Sequence, residues 1–302
     1  MKEETIAALR AAGLDPEDTR VAVLRALAED FGYGPDVTSA ATAAPETVVA
    51  GQVAARAGGV VAGLPVAVAV ADLAASAGYT SGVTEVVPLR RDGDRIGPRE
   101  AVLRVSGPAT AVLGTERTML NFLTHLSGIA SATRAWVDAV EGTGAVIRDT
   151  RKTTPGLRLL EKYAVRCGGG ANHRMGLGDA ALIKDNHVAA AGGAGKAIAA
   201  VVAHAPGIPL EVECDTLAEV RDSLEAGARF ILLDNMSSDE LRAAVEQARR
   251  YPGVRLEASG GLRLQAARAV AETGVDYLAV GALTHSSPAL DLGLDLALAF
   301  TA

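Results

Sequence analysis

Aromatic residues are scarce. The 302-residue chain has one Trp, four Phe and five Tyr, so its core has to be built from Ala, Val, Leu and Ile. Cysteine is nearly absent. Cys167 and Cys214 cannot make a disulfide framework, and such sparing use fits a reducing cytoplasm. Positive charge is in deficit, with 29 Lys and Arg against 36 Asp and Glu, a net charge of −7. An acidic chain lacks the electrostatic footprint of a nucleic-acid binder, though it can hold a local basic pocket for an anionic small molecule. Long apolar runs are also missing. The greasiest stretch, residues 60–77, contains Gly63, Pro65 and Asp72, whereas a membrane span needs about 20 mostly apolar residues. The first residues, MKEETIAALRAAGLDPED, are polar and acidic, without the apolar segment of a signal peptide. The expectation is a cytoplasmic protein with neither nucleic acid nor membrane as a partner. With 49% hydrophobic and 22% charged residues, bulk disorder is excluded. The length suits two domains, or one large barrel with an appendage.

Residues 4–30 read as helical, with a break at 13–16. FGYGPDVTS (31–39) is rich in turn residues and is expected to be loop. Strand propensity at 48–56 is followed by an Ala-rich helix over 64–77, then by strands at 83–88 and 101–106 around a turn cluster at 92–98. From Pro108 a long helical pattern runs on, with a break expected near Gly128. This first half has an α+β character.

From Ala145 the pattern changes. Six short runs recur: AVIRDT (145–150), AALIKDNH (180–187), PLEVECDT (209–216), FILLDN (230–235), VRLEASGG (254–261) and YLAVGALTH (277–285). Their ends lie 21 to 35 residues apart, with Ala-rich helical stretches between them. That spacing suits repeated βα units and a parallel sheet. Each run is continuously apolar and then ends in a polar residue or glycine, as strands buried on both faces do. In a β/α barrel the C-terminal strand ends form one mouth, where chemistry gathers. A doubly wound open sheet is the competitor, but it gathers chemistry only at its switch point. With six strands rather than eight, the barrel is expected to be incomplete.

The segment from Arg148 to His187 holds eight Lys and Arg against four acids, a local +4 within a −7 chain. Such a run is either a solvated face or a receptor for an anion, because Arg forks match carboxylate and phosphate geometry. Its interleaving with loop glycines, in DTRKTTPGLR and CGGGANHR, favours the receptor. Lys184 ends the apolar run AALIK, where it needs an anionic partner. That partner is either an internal acid, Asp185 or Glu213, or a ligand; a Schiff-base amine is the third possibility. Strand alternation puts Glu211 and Glu213 on one side. With Asp234, such carboxylates can bind Mg²⁺, hold sugar hydroxyls or stabilise an oxocarbenium ion, or can simply pair the barrel's own lysines. Glycine-containing ends at 259–261 and 280–282 fit the phosphate-binding loops of barrels. His173 and His187 lack the spacing of a zinc site. Cys167 has no evident base partner, and His125 reads as part of a packed helix face.

GPDVTS (34–39), ERTMLNFLTHLSGIAS (116–131), DTRKTTPGLRLLEKYAVRCGGGANHRMGL (149–177), IKDNH (183–187), EVEC (211–214), LLDNM (232–236), EASGG (257–261) and VGALTHS (280–286) together resemble quinolinate phosphoribosyltransferase, also called carboxylating nicotinate-nucleotide pyrophosphorylase. The resemblance covers nearly the whole chain, and its DTRKT…GGGxNHR block is highly specific. It implies an N-terminal α/β sandwich domain over 1–115, an open, incomplete β/α barrel over 116–286, and a tail of about 287–302 packing back on the first domain. It also implies a reaction: quinolinate and phosphoribosyl pyrophosphate give nicotinate mononucleotide, CO₂ and pyrophosphate, with Mg²⁺ and no organic cofactor. It implies a homodimer with shared sites, Arg117 reaching the neighbouring subunit's pocket. The matching substrate-binding positions are Arg117, Thr150, Arg151, Lys152, His173, Arg174 and Lys184. Lys152, Lys184, Glu213 and Asp234 stand nearest the reacting atoms. Glu213 and Asp234 handle ribose and metal, largely through water and substrate. Ser259, Gly260 and Gly261, with Val280, Gly281 and Ala282, hold phosphate. The alternatives are a Schiff-base aldolase using Lys184, a phosphoribosyltransferase-like protein of metal-transport operons, and a degenerate barrel serving only to bind.

Overall fold

The computed structural model describes residues 1–298, and the chain divides into two compact units. The first comprises Met1–Ala132, Thr154–Gly169 and the residues from Ser286 onward. It opens with α1 (Glu3–Ala11) and α2 (Pro16–Phe31). The Asp15 side chain caps α2 by accepting from the amides of Glu17 and Asp18, with Pro16 preset for the first turn. The loop expected at 31–39 is present over 32–36, but a third helix, α3 (Val37–Thr42), takes over its last three residues. Asp36 explains the difference: its carboxylate accepts from the amides of Thr38 and Ser39, the cap that starts a helix inside a turn-rich stretch.

The strands β1 (Val48–Ala55), β3 (Glu85–Pro88) and β5 (Ala101–Pro108) follow, with the small pair β2 (Gly59–Val60) and β4 (Arg95–Ile96) and the helix α4 (Leu64–Ser76) between them. The final strand β12 (Leu292–Leu298) joins them in an antiparallel sheet of order β12-β1-β5-β3. Residues 299–302 of the expected tail lie outside the described residues. The apolar helix α4 buries Val66, Ala67, Val70 and Leu73 in this unit, so small and branched side chains do the work that aromatics do elsewhere. The long helix α5 (Ala109–Ala139) passes through Gly128 without the expected break. A Cβ at position 128 would lie 2.2 Å from the Pro288 carbonyl oxygen, so this glycine admits a close backbone approach and does not end the helix. Helix α6 (Arg158–Cys167) also belongs here.

The second unit, Thr133–Thr153 and Gly170–His285, contains all six expected strands. These are β6 (Val146–Arg148), β7 (Ala181–Ile183), β8 (Leu210–Cys214), β9 (Phe230–Asp234), β10 (Arg255–Ser259) and β11 (Tyr277–Ala279). The helices α7 (Asp185–Ala191), α8 (Ala194–His204), α9 (Leu217–Glu225), α10 (Ser238–Ala248), α11 (Ala267–Ala271) and α12 (Ala282–His285) alternate with the strands from β7 onward. Every pairing is parallel, in the order β6-β11-β10-β9-β8-β7. No ladder joins β6 to β7, so the barrel is open, as its strand count predicts. Alternation splits each strand. Ile183, Val212, Ile231, Leu233, Leu256 and Leu278 are buried on one face. In register on the other face stand Glu213 beside Leu232, Leu232 beside Glu257, and Asp234 beside Ser259. Among the described residues no helix is long and apolar enough to cross a membrane.

Candidate active site

The strand ends of the second unit enclose a cavity of about 360 Å³. Thr150, Arg151 and Lys152 enter it from the loop after β6, and His173 and Arg174 from the glycine-rich loop after residue 168. Lys184, Glu213, Asp234 and Ser259 enter from the ends of β7, β8, β9 and β10, with Leu182, Leu232, Glu257 and Ala279 below them. Four cations and two strand-end acids therefore share one mouth. Arg117 is not among them: it is exposed on α5 in the first unit. Gly260, Gly261, Val280 and Gly281 sit on the loops after β10 and β11, Ala282 opens α12, and none of them lines the cavity wall.

Local hydrogen bonds hold the walls. The Thr150 hydroxyl accepts from the Lys152 amide at 3.0 Å, and the Lys152 carbonyl accepts from the Thr284 hydroxyl at 2.7 Å. Lys184 Nζ lies 2.6 Å from Glu213 Oε2, which realises the internal-acid alternative for this lysine. Asp234 Oδ2 accepts from Asn235 Nδ2 at 2.7 Å. Asn235 adopts φ +55°, and its neighbour Gly260 adopts φ +90°. A Cβ on Gly260 would fall 2.2 Å from Asn235 Oδ1, so only glycine lets these two strand-end loops touch. At Gly281, a Cβ would meet Lys152 Cδ at 3.1 Å and Thr150 Oγ1 at 3.4 Å, so the β11 loop packs on the β6 loop.

Arg174 is held at both ends. Its amide donates to His173 Nδ1 at 2.7 Å, and Nη1 donates to the Ala180 carbonyl at 3.1 Å. Partial burial, reinforced by the neighbouring Arg151, holds its guanidinium below its usual pKa. Two cations forced this close favour an anion between them. Glu213 and Asp234 offer oxygen donors to a hard cation, which suits a Mg²⁺ ion that keeps most of its ligands as water and phosphate.

Beneath the mouth lies a charged layer that sequence reasoning left unassembled. Arg148 donates to Glu257 Oε2, and its guanidinium lies over both the Phe230 and Tyr277 rings, 5.2 and 4.9 Å from their centroids. His173 Nε2 is 2.9 Å from Glu211 Oε2 and 3.5 Å from Glu257 Oε1. The fully buried Asp149 carboxylate accepts from the His173 amide at 2.8 Å and from Asn172 Nδ2 at 2.6 Å. The available signal was an acid in the middle of an apolar run, Glu211 in LEVEC and Glu257 in RLEAS, on the cavity-facing parity of its strand.

Burial pushes the Glu211 and Glu257 carboxyls up to about 7, and Glu257 also feels Glu211. A folded-state pKa above the ordinary 4.5 means that the native state binds more protons than the unfolded chain between the two values. The stability from these groups is fully present at low pH and is lost as pH rises through about 7. Glu257→Gln is therefore expected to flatten the fall in urea midpoint between about pH 5 and about pH 8, whatever its effect on absolute stability. An unchanged slope would show that Glu257 does not carry the dependence.

Comparison with known proteins agrees with this architecture. Residues 36–127 match the model of the quinolinate phosphoribosyl transferase N-terminal domain, and residues 129–295 match that of its C-terminal domain. The carboxylating nicotinate-nucleotide pyrophosphorylase of Mycobacterium leprae is 52% identical over 280 residues, covering 92% of this chain and 96% of that protein. The human protein of the same name is 44% identical over 210 residues, 68% of this chain and 70% of its own. The crystal structure of NadC from Streptococcus pyogenes superposes with a TM-score of 0.86 at 38% identity, covering 94% of this chain and 98% of that one. The chain belongs to the quinolinate phosphoribosyltransferase family, a family of pentosyltransferases.

Proposed function

We propose that the chain carries out its family's reaction, decarboxylating phosphoribosyl transfer to quinolinate in NAD biosynthesis, in the cavity of the second unit. The observation that carries this reading is the convergence of Arg151, Lys152, Arg174 and Lys184 with Glu213 and Asp234 on one mouth. Quinolinate brings two carboxylates and phosphoribosyl pyrophosphate several phosphates, so an acidic protein has to concentrate its cations where they bind. Arg151 and Arg174 receive the ring carboxylates, and Lys152 and Lys184 the remaining anionic oxygens. The backbone at 259–261 and 280–282 takes phosphate. Attack of the pyridine nitrogen on ribose C1 expels pyrophosphate through an oxocarbenium-like state, which Glu213 and Asp234 stabilise electrostatically. The ribosylated ring is cationic. Loss of CO₂ from the adjacent carbon leaves a ylide stabilised by that charge, and a proton then takes the place of CO₂. The protein supplies orientation and electrostatics, without an organic cofactor.

Glu213 and Asp234 would hold a Mg²⁺ ion, largely through water and phosphate oxygens, and the ion would neutralise charge on the leaving pyrophosphate. Incubation with quinolinate, phosphoribosyl pyrophosphate and Mg²⁺ is expected to yield nicotinate mononucleotide, and chelation to abolish turnover without unfolding the protein. Nicotinate, with one carboxylate, is expected to fail as acceptor. Equal use of nicotinate would sink the two-carboxylate pocket. The free thiols, Cys167 partly buried and Cys214 buried, support a reducing cytoplasm.

The working unit is a homodimer in which exposed Arg117 of one copy serves the cavity of the other. Mixing inactive Arg117→Ala and Lys184→Ala proteins is then expected to restore roughly a quarter of wild-type activity. About half of randomly paired dimers are mixed, and each has one of its two sites intact. No recovery after verified subunit exchange would place Arg117 outside a shared site.

A further inference from the structure

The buried layer under the cavity contains groups that no step above uses. We propose that Glu211 is a positioning residue: it holds His173 with the ring hydrogen on Nε2, and Nδ1 of that ring then fixes the main chain at Arg174 and the aim of its guanidinium. The proposal rests on Arg174 receiving quinolinate.

The Arg174 amide donates to His173 Nδ1 at 2.7 Å. A neutral imidazole that accepts at Nδ1 carries its hydrogen on Nε2. That hydrogen needs an acceptor, because His173 is buried. Two carboxylates are near. Glu257 already accepts from Arg148 through Oε2, and its Oε1 is 3.5 Å from Nε2. Glu211 Oε2 is 2.9 Å away, so it is the acceptor. Glu211 is 4% exposed, and its second oxygen makes no hydrogen bond. A buried carboxyl with one oxygen unpaired is unfavourable unless it serves the group it faces. Loss of the Nε2 acceptor would release the ring, and with it the only main-chain restraint that a side chain places on Arg174 among the hydrogen bonds described here.

His173, Glu211 and Glu257 also have ligand atoms within 4.8 Å of one another, a spacing that could admit a metal ion. Ligation through Nε2 would need a lone pair there and the hydrogen on Nδ1. The Arg174 amide occupies the place of that hydrogen, so the tautomer separates the two uses of the cluster.

Two measurements on the full chain test the proposal. The first reads the His173 tautomer by long-range ¹H–¹⁵N NMR, with and without added Mn²⁺. The second reads quinolinate Kd by calorimetry for the wild type, Glu211→Gln and Glu211→Leu. Glutamine keeps an acceptor oxygen for Nε2 and leucine does not. Wild type and Glu211→Gln are expected to show the hydrogen on Nε2, with Kd values within about threefold of each other. Glu211→Leu is expected to lose the single tautomer and to weaken quinolinate about tenfold or more. A merely structural glutamate would alter stability without moving the tautomer, and glutamine would bring no rescue of binding. A wild-type imidazole with its hydrogen on Nδ1, specific broadening of its signals by Mn²⁺ through ligation, or unchanged Kd in Glu211→Leu overturns the proposal. The NMR result is independent of turnover. The expected tautomers and affinities in a protein that releases no pyrophosphate would therefore sink the proposed reaction and leave the positioning role standing.

Discussion

Arg174→Ala is expected to weaken quinolinate binding by about 2–5 kcal/mol, roughly 30-fold to several-thousand-fold in affinity. The size follows from the guanidinium's setting. It is partly buried, its main chain is tied to His173, and Nη1 is tied to Ala180. Its freedom is already lost before ligand arrives, so a carboxylate meets a preorganised fork. Removing that fork leaves one ring carboxylate desolvated beside an empty wall. Arg174→Lys is expected to recover little, because an ammonium cannot reproduce two parallel N–H donors. Arg151→Ala should act in the same direction, and the double variant should fall short of the sum, since the two cations share one ligand. Calorimetry with quinolinate alone checks this, separately from any effect on phosphoribosyl pyrophosphate. An Arg174→Ala protein that binds quinolinate within about twofold of wild type would remove Arg174 from the receptor.

Asp149→Ala is expected to have the largest effect on stability, about 2–5 kcal/mol, with loss of activity in whatever protein remains folded. The carboxylate is completely buried, and its two oxygens serve the His173 amide and the Asn172 side chain. Alanine would strand both donors in a site that water does not reach. It would also loosen the loop that presents His173 and Arg174, whose other ties include the bridge between Arg148 and Ala171 and the bond from Arg148 to the Asn172 carbonyl. Asp149→Asn keeps one acceptor oxygen but turns an amide donor toward an existing donor, and should fall between wild type and alanine. Urea unfolding at fixed pH gives the comparison. A midpoint unchanged in Asp149→Ala would show that the loop is held by other means.

How much of this was legible in the sequence depended on whether the interaction was local. The six barrel strands were readable because strands buried on both faces leave continuous apolar runs, and their polar ends marked one mouth. The scarcity of aromatics points correctly to a core of small and branched aliphatics. Two local features were misread. Asp36 is a helix cap that the turn-rich composition of 31–39 concealed, and Gly128 looked like a break because its partner, the Pro288 carbonyl, is far away in sequence. The layer of Arg148, His173, Glu211 and Glu257 stayed hidden for the same reason. Each member comes from a different strand or loop, and only the sheet order brings them together. Alternation puts Glu211 beside Glu213 and could have flagged Glu257 as a second inward acid, but it could not have supplied their partners.

The order of strands has a consequence for the birth of the chain. In the parallel sheet, β6 is the first strand to leave the ribosome, yet Ile147 pairs with Leu278 on β11, the last. In the antiparallel sheet, β1 is again the earliest strand, and Gly51 pairs with Leu296 on β12, the last strand of that sheet. Each ladder is thus completed only after every other strand of its sheet has been made. Until then each unit carries an early strand with an unsatisfied edge, the state in which nascent chains mispair or aggregate. Such long-range closure slows folding. A chain cut before β11 would leave neither sheet complete.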